Sequence, residues 1–173
     1  EGYTIPFKKG DARKLPFEAD CFEVVMILGN SFGYFDSVND DLKILKEVFR
    51  VLRPWGRIVL DITDGTHLMK HFEPRSWEWI DKKHFVCRER SLSSDEQRLI
   101  SREVVTHADR GVIADQFYAE RLYNPDDIQK LLKKAGFATF VHHGMLLPNS
   151  ARNQDLGMMG QRFVVSAQVS KPW

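Results

Sequence analysis

The residues with the clearest chemical potential are short polar runs at the ends of apolar segments. They are Gly10-Asp11-Ala12, then Gly29-Asn30-Ser31 after the apolar run from Cys21 to Leu28, and finally Asp61-Ile62-Thr63-Asp64. Carboxylate and amide side chains hydrogen-bond polar ligands, and glycine lets the backbone approach them closely. These runs are therefore candidate ligand contacts, whereas no residue among them is identified as a catalytic group.

The elements that would position these runs follow an α/β pattern. The apolar run Cys21–Leu28 is typical of a strand buried on both faces. Residues 39–53 form an amphipathic pattern with helical spacing, and Pro54 and Gly56 end it before a second strand at 57–62. Strand, helix and strand in this order predict a right-handed parallel crossover, whose ligands bind beyond the carboxyl ends of the strands.

The remainder of the chain predicts an antiparallel insertion followed by a helix and two strands. Period-two alternation occurs at 84–92, 99–108 and 112–123, which favours antiparallel strands. Asn124 as cap, Pro125 in the first turn and Gly136 as terminator delimit a helix. Strands are predicted at 137–142 and 162–169. We therefore expect one domain over residues 1–173, with an antiparallel β insertion at 76–123.

Composition restricts the partners. The 173 residues are 43% hydrophobic and carry 25 basic against 24 acidic side chains, with a net charge of +1. This balance, without a basic block, argues against nucleic acid or an anionic membrane as a partner. Cys21 and Cys87 lack metal-ligand spacing and are expected to be reduced thiols, so no metal site is predicted. No apolar run reaches the length of a spanning helix, and a cytoplasmic location is expected.

Four segments occur in an order and at a spacing that resemble a known family. Gly10-Asp11-Ala12 is followed by Leu15-Pro16-Phe17, then by Phe22-Glu23-Val24-Val25, then by residues 49–57. Together they resemble the class I, Rossmann-like S-adenosylmethionine-dependent methyltransferases, most loosely in the insertion. The resemblance implies an α/β fold: an incomplete Rossmann-like sheet, parallel with a C-terminal antiparallel strand, plus the antiparallel β insertion. The usual family turn has two glycines after the proline, and here Trp55 replaces the first.

The resemblance also implies contacts with S-adenosylmethionine as cofactor and with a methyl acceptor. Asp11 would accept a hydrogen bond from the adenine amino group. The other implied cofactor contacts are Ala12, Arg13, Leu28, Gly29 and Asn30, and the implied substrate contacts are Ser31, Phe32, Tyr34 and Arg121.

Each of these interpretations has a structural alternative. Asp11 after a glycine is also typical of a turn. The aromatic residues Tyr34 and Phe35 could instead pack into the core. The remaining alternatives are an edge-strand surface pair for Arg121 and Tyr123, and a structural role for His142 and His143, which alternate faces of their strand.

One family motif has no counterpart in this sequence, namely the Gly-x-Gly loop after the first strand. No two of the 11 glycines stand at positions i and i+2. We therefore expect the first two strand–helix units to lie upstream, with Pro6 in an edge strand. The strand Phe22–Leu28 would then have an open edge, expected to be covered by another chain in a homodimer or swapped assembly, or by a rearranged N-terminal segment.

The predicted function is methyl transfer from S-adenosylmethionine to a small-molecule acceptor, with this chain alone weak or inactive. Small-molecule methyltransferases, including sugar N-methyltransferases, show a similar antiparallel insertion, and basic patches are absent. One alternative is a degenerate methyltransferase-like domain with a non-catalytic binding or assembly role. Another is a nicotinamide-dependent reductase, which would not account for residues 10–17.

Overall fold

The main sheet of the protein has four strands in the order β1-β2-β8-β7. The computed structural model describes residues 4–146 and 161–171. The strands are β1 (Phe22–Ile27), β2 (Leu52–Thr63), β7 (Phe137–Leu146) and β8 (Arg162–Val169). β1 and β2 are parallel, whereas β8 runs antiparallel to both of its neighbours. This confirms the predicted α/β sheet, parallel with a C-terminal antiparallel strand.

Two amphipathic helices cover this sheet and pack against each other. Helix α1 (Val38–Val51) begins at Ser37, whose side chain accepts a hydrogen bond from the Asn39 amide. Helix α3 (Pro125–Ala135) begins at Asn124, whose side chain accepts from the Asp127 amide, and ends at Gly136 in the left-handed region. A short helix α2 (Gly65–Lys70), which the sequence analysis did not predict, follows β2.

The hydrophobic core lies between the helices and the sheet. Apolar side chains from one stripe of each helix meet alternate residues of the central strands, as the two periodicities require. The fully buried members that fill this layer include Leu45, Val51, Leu52, Ile58, Leu60, Ile128, Leu132, Phe163 and Val169.

The insertion is a separate antiparallel sheet in the order β3-β4-β5-β6. Its strands are β3 (Arg75–Trp79), β4 (His84–Leu92), β5 (Arg98–His107) and β6 (Gly111–Arg121). It is joined to the main sheet by backbone hydrogen bonds from Gly65 to Tyr123 and from Arg121 to Gly33, both 2.9 Å long. The insertion therefore contacts the segment that directly follows β1.

One edge of β1 lacks a partner strand within the described residues. β1 pairs with β2 on one side, and Met26 on it is 62% exposed. The predicted edge strand around Pro6 does not form in residues 4–10, because a strand needs a neighbour to pair with and the loop at Gly10 turns the chain instead. Coverage of the β1 edge by another chain stays a prediction.

Trp55, at the start of β2, has a left-handed backbone with φ +65° and a side chain that is 55% exposed. This conformation is unfavourable for a bulky residue and is normally taken by glycine. Gly56 beside it is required for another reason, since a Cβ there would lie 2.9 Å from the carbonyl oxygen of Arg53. The turn thus keeps its second glycine and strains its first position.

Replacing Trp55 with glycine should raise the free energy of unfolding by about 1 kcal/mol, because it relieves left-handed strain while giving up a largely exposed ring. Urea denaturation of both proteins measures the change. Trp55→Ala is the matched control, since it removes the same ring but keeps the Cβ. An equal gain in both variants would show that the ring, and not the backbone, is the source.

Candidate functional site

Asp61 links the carboxyl end of β1 to that of β2 through hydrogen bonds. Gly29 and Asn30, which follow β1, have φ values of +66° and +58°. The Gly29 amide donates to Asp61 Oδ2 at 3.1 Å, and the Asn30 amide donates to the Asp61 carbonyl at 3.0 Å. Arg162 on β8 pairs with the same carboxylate at 3.1 Å. A buried charge pair thus fixes the turn that two of the predicted ligand contacts occupy.

The side chain of Asn30 is buried and joins three elements. Its Oδ1 accepts a hydrogen bond from the Thr63 amide at 2.9 Å. Its Nδ2 donates to a carboxylate oxygen of Glu120 in the insertion and lies 3.4 Å from the Tyr34 hydroxyl. The side chain of Asn30 and the backbone N–H groups of Gly29 and Asn30 are therefore occupied by the protein, which leaves the exposed surface of Leu28 and Gly29 as the part of this turn that a ligand could contact.

Glu120 is a site residue that the sequence analysis missed. It lies on β6 with only 2% of its side chain exposed. Burial raises the pKa of its carboxyl group to about 7, against weaker opposing effects from the hydrogen bonds of Asn30 and Tyr34. The signal available in the sequence was alternation within residues 112–123, which places Glu120 on the opposite face from Arg121 but does not reveal which face is buried.

Replacing Glu120 with glutamine should make stability less dependent on pH. The folded protein holds the carboxyl proton up to about pH 7, whereas an unfolded glutamate releases it near pH 4.3. Between these values the folded state binds more protons, so the free energy of unfolding falls as pH rises. We expect Glu120→Gln to match the parent at pH 4.5 and to exceed it by about 3–4 kcal/mol at pH 8.

Urea denaturation across this pH range measures the difference. Glu89→Gln, which changes an exposed glutamate of the same sheet, is the control. If the difference between Glu120→Gln and the parent stayed constant with pH, a group other than Glu120 would be titrating.

Asp11 forms a compact turn with Arg13. The Lys14 amide donates to the Asp11 carbonyl at 3.0 Å and the Arg13 amide donates to Asp11 Oδ1 at 2.9 Å. The Arg13 guanidinium also pairs with Oδ2 at 2.8 Å, and these hydrogen bonds lower the pKa of Asp11 to about 2. The turn alternative for Asp11 is thus observed, and its carboxylate, like Ala12, remains exposed to solvent.

Arg13 also connects this turn to the segment after β1. Its guanidinium carbon lies 4.2 Å from the ring centre of Phe35, a cation–π contact. It approaches Asp40 at the start of α1 at 3.6 Å. Arg13 thereby links the Asp11 turn to the loop that follows β1 and to the start of α1, and its role as a cofactor contact stays a prediction.

The predicted substrate residues 31–34 have different environments. Ser31 is exposed and its hydroxyl donates to the Leu28 carbonyl at 2.7 Å. Phe32 is buried in the core beside Tyr123, with ring centres 5.8 Å apart, so its packing does not favour substrate contact. Tyr34 is 42% exposed, with its hydroxyl 3.5 Å from Glu120. Tyr34 is therefore the best placed of the three to meet both a ligand and Glu120.

Arg121 is held by protein groups and is mostly buried. Its Nε donates to Asp41 Oδ2 at 3.3 Å, and its Nη2 donates to the Asp36 carbonyl at 2.9 Å. The Tyr123 hydroxyl donates to the same oxygen of Asp41 at 2.7 Å. These contacts favour a positioning role for Arg121, joining β6 to α1, over the predicted substrate contact, and they replace the predicted surface pair of Arg121 and Tyr123.

The two histidines of β7 make structural contacts. The ring of His142 lies 6.0 Å from that of Phe163, and His143 Nε2 lies 2.8 Å from the Ser166 hydroxyl. Among residues 4–146 and 161–171, no three histidine, cysteine or acidic side chains come together as metal ligands would. No helix in that part of the chain has the length and apolar character needed to cross a membrane.

Comparison with known proteins gives a family match and structural neighbours. Residues 1–60 match the family model described as "Methyltransferase domain". The demethylmenaquinone methyltransferase of Lactococcus lactis is 48% identical over 57 residues, which are 32% of this chain and 21% of that protein.

Two solved structures show the same fold. The S-adenosylmethionine-dependent methyltransferase from Clostridium acetobutylicum superposes with a TM-score of 0.71 at 18% identity, over 94% of this chain and 63% of that one. CalS10, an amino pentose methyltransferase from Micromonospora echinaspora solved with S-adenosylmethionine bound, gives 0.56 at 16% identity, over 92% and 62%. The chain thus spans less than two thirds of each matched protein.

Proposed function

We propose that the chain takes part in methyl transfer to a small molecule, because residues 1–60 match the methyltransferase domain model and the chain has the fold of S-adenosylmethionine-dependent methyltransferases. S-adenosylmethionine is the methyl donor of this proposal. The matched proteins named above act, by their names, on a quinone and on an amino pentose. A cytoplasmic location, predicted from the sequence, belongs to the same proposal.

The observation that supports this proposal is the exposed backbone at the carboxyl end of β1. A Cβ built on Gly29 meets no atom within 4 Å, so the space beside this turn is free. Leu28 and Gly29 are exposed, and Asp61 holds their turn in place from the buried side. Ligands of open α/β sheets bind at this end of the strands, which supports contact with the cofactor here.

The residues fit the adenosine and methionine ends of this cofactor. The exposed carboxylate of Asp11 offers an acceptor for an amino group, and the exposed Ala12 backbone borders it. Leu28, Gly29 and the Asn30 backbone would lie along the methionine portion. Contacts with the ribose are not assigned to any residue of this chain, so we expect weak cofactor binding and little activity from the chain alone.

When bound, S-adenosylmethionine supplies a methyl group already activated for displacement. The protein's contribution is then to orient the acceptor and to exclude water. The Asn30–Glu120 hydrogen bond holds the insertion over the end of β1, where Ser31 and Tyr34 would meet the acceptor. Arg121 stabilises this arrangement through its ion pair with Asp41 on α1.

Replacing Asp11 with asparagine should weaken binding of S-adenosylmethionine about tenfold, because the adenine amino group loses a charged acceptor. We expect the unaltered chain to bind in the millimolar range, detectable by saturation-transfer NMR. Asp109→Asn is the matched control, since Asp109 is also an exposed carboxylate in an ion pair, with Lys83, but lies at a hairpin of the insertion.

The outcomes separate the proposal from its alternative. Loss of the signal in Asp11→Asn with retention in Asp109→Asn supports the assigned adenine contact. Equal affinity of both variants for S-adenosylmethionine would show that Asp11 is not part of the cofactor site. No binding by the unaltered chain would favour the non-catalytic binding or assembly role.

A further inference from the structure

Among the residues that the structure describes, Glu120 is a buried carboxylate that lacks a cationic partner. Its Oε2 accepts from Asn30 and lies near Tyr34, whereas its Oε1 is buried and has no hydrogen-bond partner in residues 4–146 and 161–171. No lysine or arginine of the described chain lies within ion-pair distance of it, and the charge of Arg90 affects its pKa less than these hydrogen bonds do. A buried acid left in this state is costly to the fold and marks a candidate binding group.

The neighbouring carboxylates on the same sheet face are satisfied differently. Strand register places Glu78, Glu103 and Glu120 on one face of the insertion. Arg88 lies between the first two and pairs with them at 2.9 and 2.8 Å. Within the described part of the chain, two of these acids thus have a cationic partner and the third, next to the end of β1, has none.

Aromatic rings lie beside this carboxylate. The rings of Tyr34 and Tyr118 are 6.1 Å apart. Burial raises the pKa of both hydroxyls, with the negative charge of Glu120 adding to it at Tyr34 and those of Glu103 and Glu120 at Tyr118. Both phenols therefore remain neutral and present electron-rich faces. Such faces attract cations. Tyr34 is the partly exposed member of this cluster. Its hydroxyl lies 3.5 Å from Glu120, which makes a weak hydrogen bond that a ligand could replace.

We propose that Glu120 receives the ammonium group of the methyl acceptor, so that the acceptor is a small amine. This inference rests on the proposed function. An ammonium group supplies the missing positive charge, and its three N–H donors match the unused Oε1. A neutral hydroxyl would leave the buried charge uncompensated, and a carbonyl would offer no donor.

The same carboxylate accounts for the proton that must leave before transfer. An ammonium nitrogen has no free electron pair, so it first passes one proton to Glu120, whose pKa of about 7 lets it hold that proton. The freed pair then forms the bond to the methyl carbon as the carbon–sulfur bond breaks. The electrons of the broken bond stay on sulfur, which becomes a neutral thioether, and the amine product carries the positive charge.

The test compares two probes of the same shape, benzylamine and benzyl alcohol, titrated into the chain at pH 8 and followed by NMR. We expect the amine to bind at least tenfold more tightly than the alcohol. Glu120→Gln should reduce amine affinity at least tenfold and leave alcohol affinity unchanged. Lowering the pH to 5.5 should weaken amine binding to the parent, because Glu120 becomes protonated, but not to the variant.

A second variant and two further measurements test the same proposal. Tyr34→Phe keeps the ring and removes the competing hydroxyl, so amine binding should persist. Circular dichroism checks that each variant is folded. Equal affinity for amine and alcohol, undetectable amine binding, or full amine affinity in Glu120→Gln would overturn the proposal. S-adenosylmethionine binding is measured separately in each protein, so failure of the cofactor site is distinguishable from failure of the amine site.

Discussion

Replacing Asp41 with alanine should lower the free energy of unfolding by about 3–5 kcal/mol, among the largest single-residue effects in this protein. Asp41 is fully buried and holds both the Arg121 guanidinium and the Tyr123 hydroxyl. Alanine would leave a nearly buried cation without its counter-charge and a buried hydroxyl without its acceptor. Urea denaturation at pH 7 measures the loss.

The isosteric change Asp41→Asn separates charge from hydrogen bonding. Burial raises the pKa of Asp41 in spite of Arg121, so desolvation offsets part of what the charge contributes to stability. Asparagine keeps an acceptor for Tyr123 and should cost only about 1–2 kcal/mol. Asp40→Ala, which removes the neighbouring carboxylate and its ion pairs with Lys43 and Arg13, is the control and should cost about 1 kcal/mol or less. An equal loss in the alanine and asparagine variants would mean that the charge alone matters.

The second large effect is expected for Asn30→Asp, which should cost about 3–5 kcal/mol at pH 8. The change replaces the donor to Glu120 with a second carboxylate, so two negative charges would share one buried site. Aspartate tolerates the left-handed backbone of position 30 nearly as well as asparagine, so strain does not confuse the result.

Acid should rescue much of this loss. At pH 5 one of the two carboxyl groups holds a proton and can donate to the other, so we expect less than half of the pH 8 loss. Asn39→Asp, in the exposed first turn of α1, is the control and should be neutral or slightly stabilising. A loss independent of pH in Asn30→Asp would show that Glu120 does not carry the charge assigned to it.

The elements predicted most accurately from the sequence are those whose signals are local. Helix α3 begins and ends as Asn124, Pro125 and Gly136 indicate, because capping depends on residues within one turn. The strand at 84–92 has the predicted bounds, since alternation is visible along a single strand. Helix α2 and strand β3 were missed because six and five residues are too few for a periodic pattern to stand out.

The candidate site was predicted only in part, for a physical reason. Sequence patterns placed Gly29 and Asn30 at the end of a strand, which requires only the order of neighbouring elements. They did not indicate Glu120, because its burial comes from packing between the insertion and the loop after β1. In an alternating strand, the sequence alone does not distinguish an exposed glutamate from a buried one, because burial depends on the surface that packs against the strand.

The hydrogen bond between Asn30 and Glu120 joins residues 90 positions apart, and the contact of Asp41 with Tyr123 joins residues 82 apart. Closing such long loops costs chain entropy before the contacts form, so these pairs belong to the slow part of folding. Strands within the insertion can pair earlier through their hairpins. In a newly made chain, the insertion would then fold before the candidate binding site is complete. Only a fully folded chain would therefore bind the ligand.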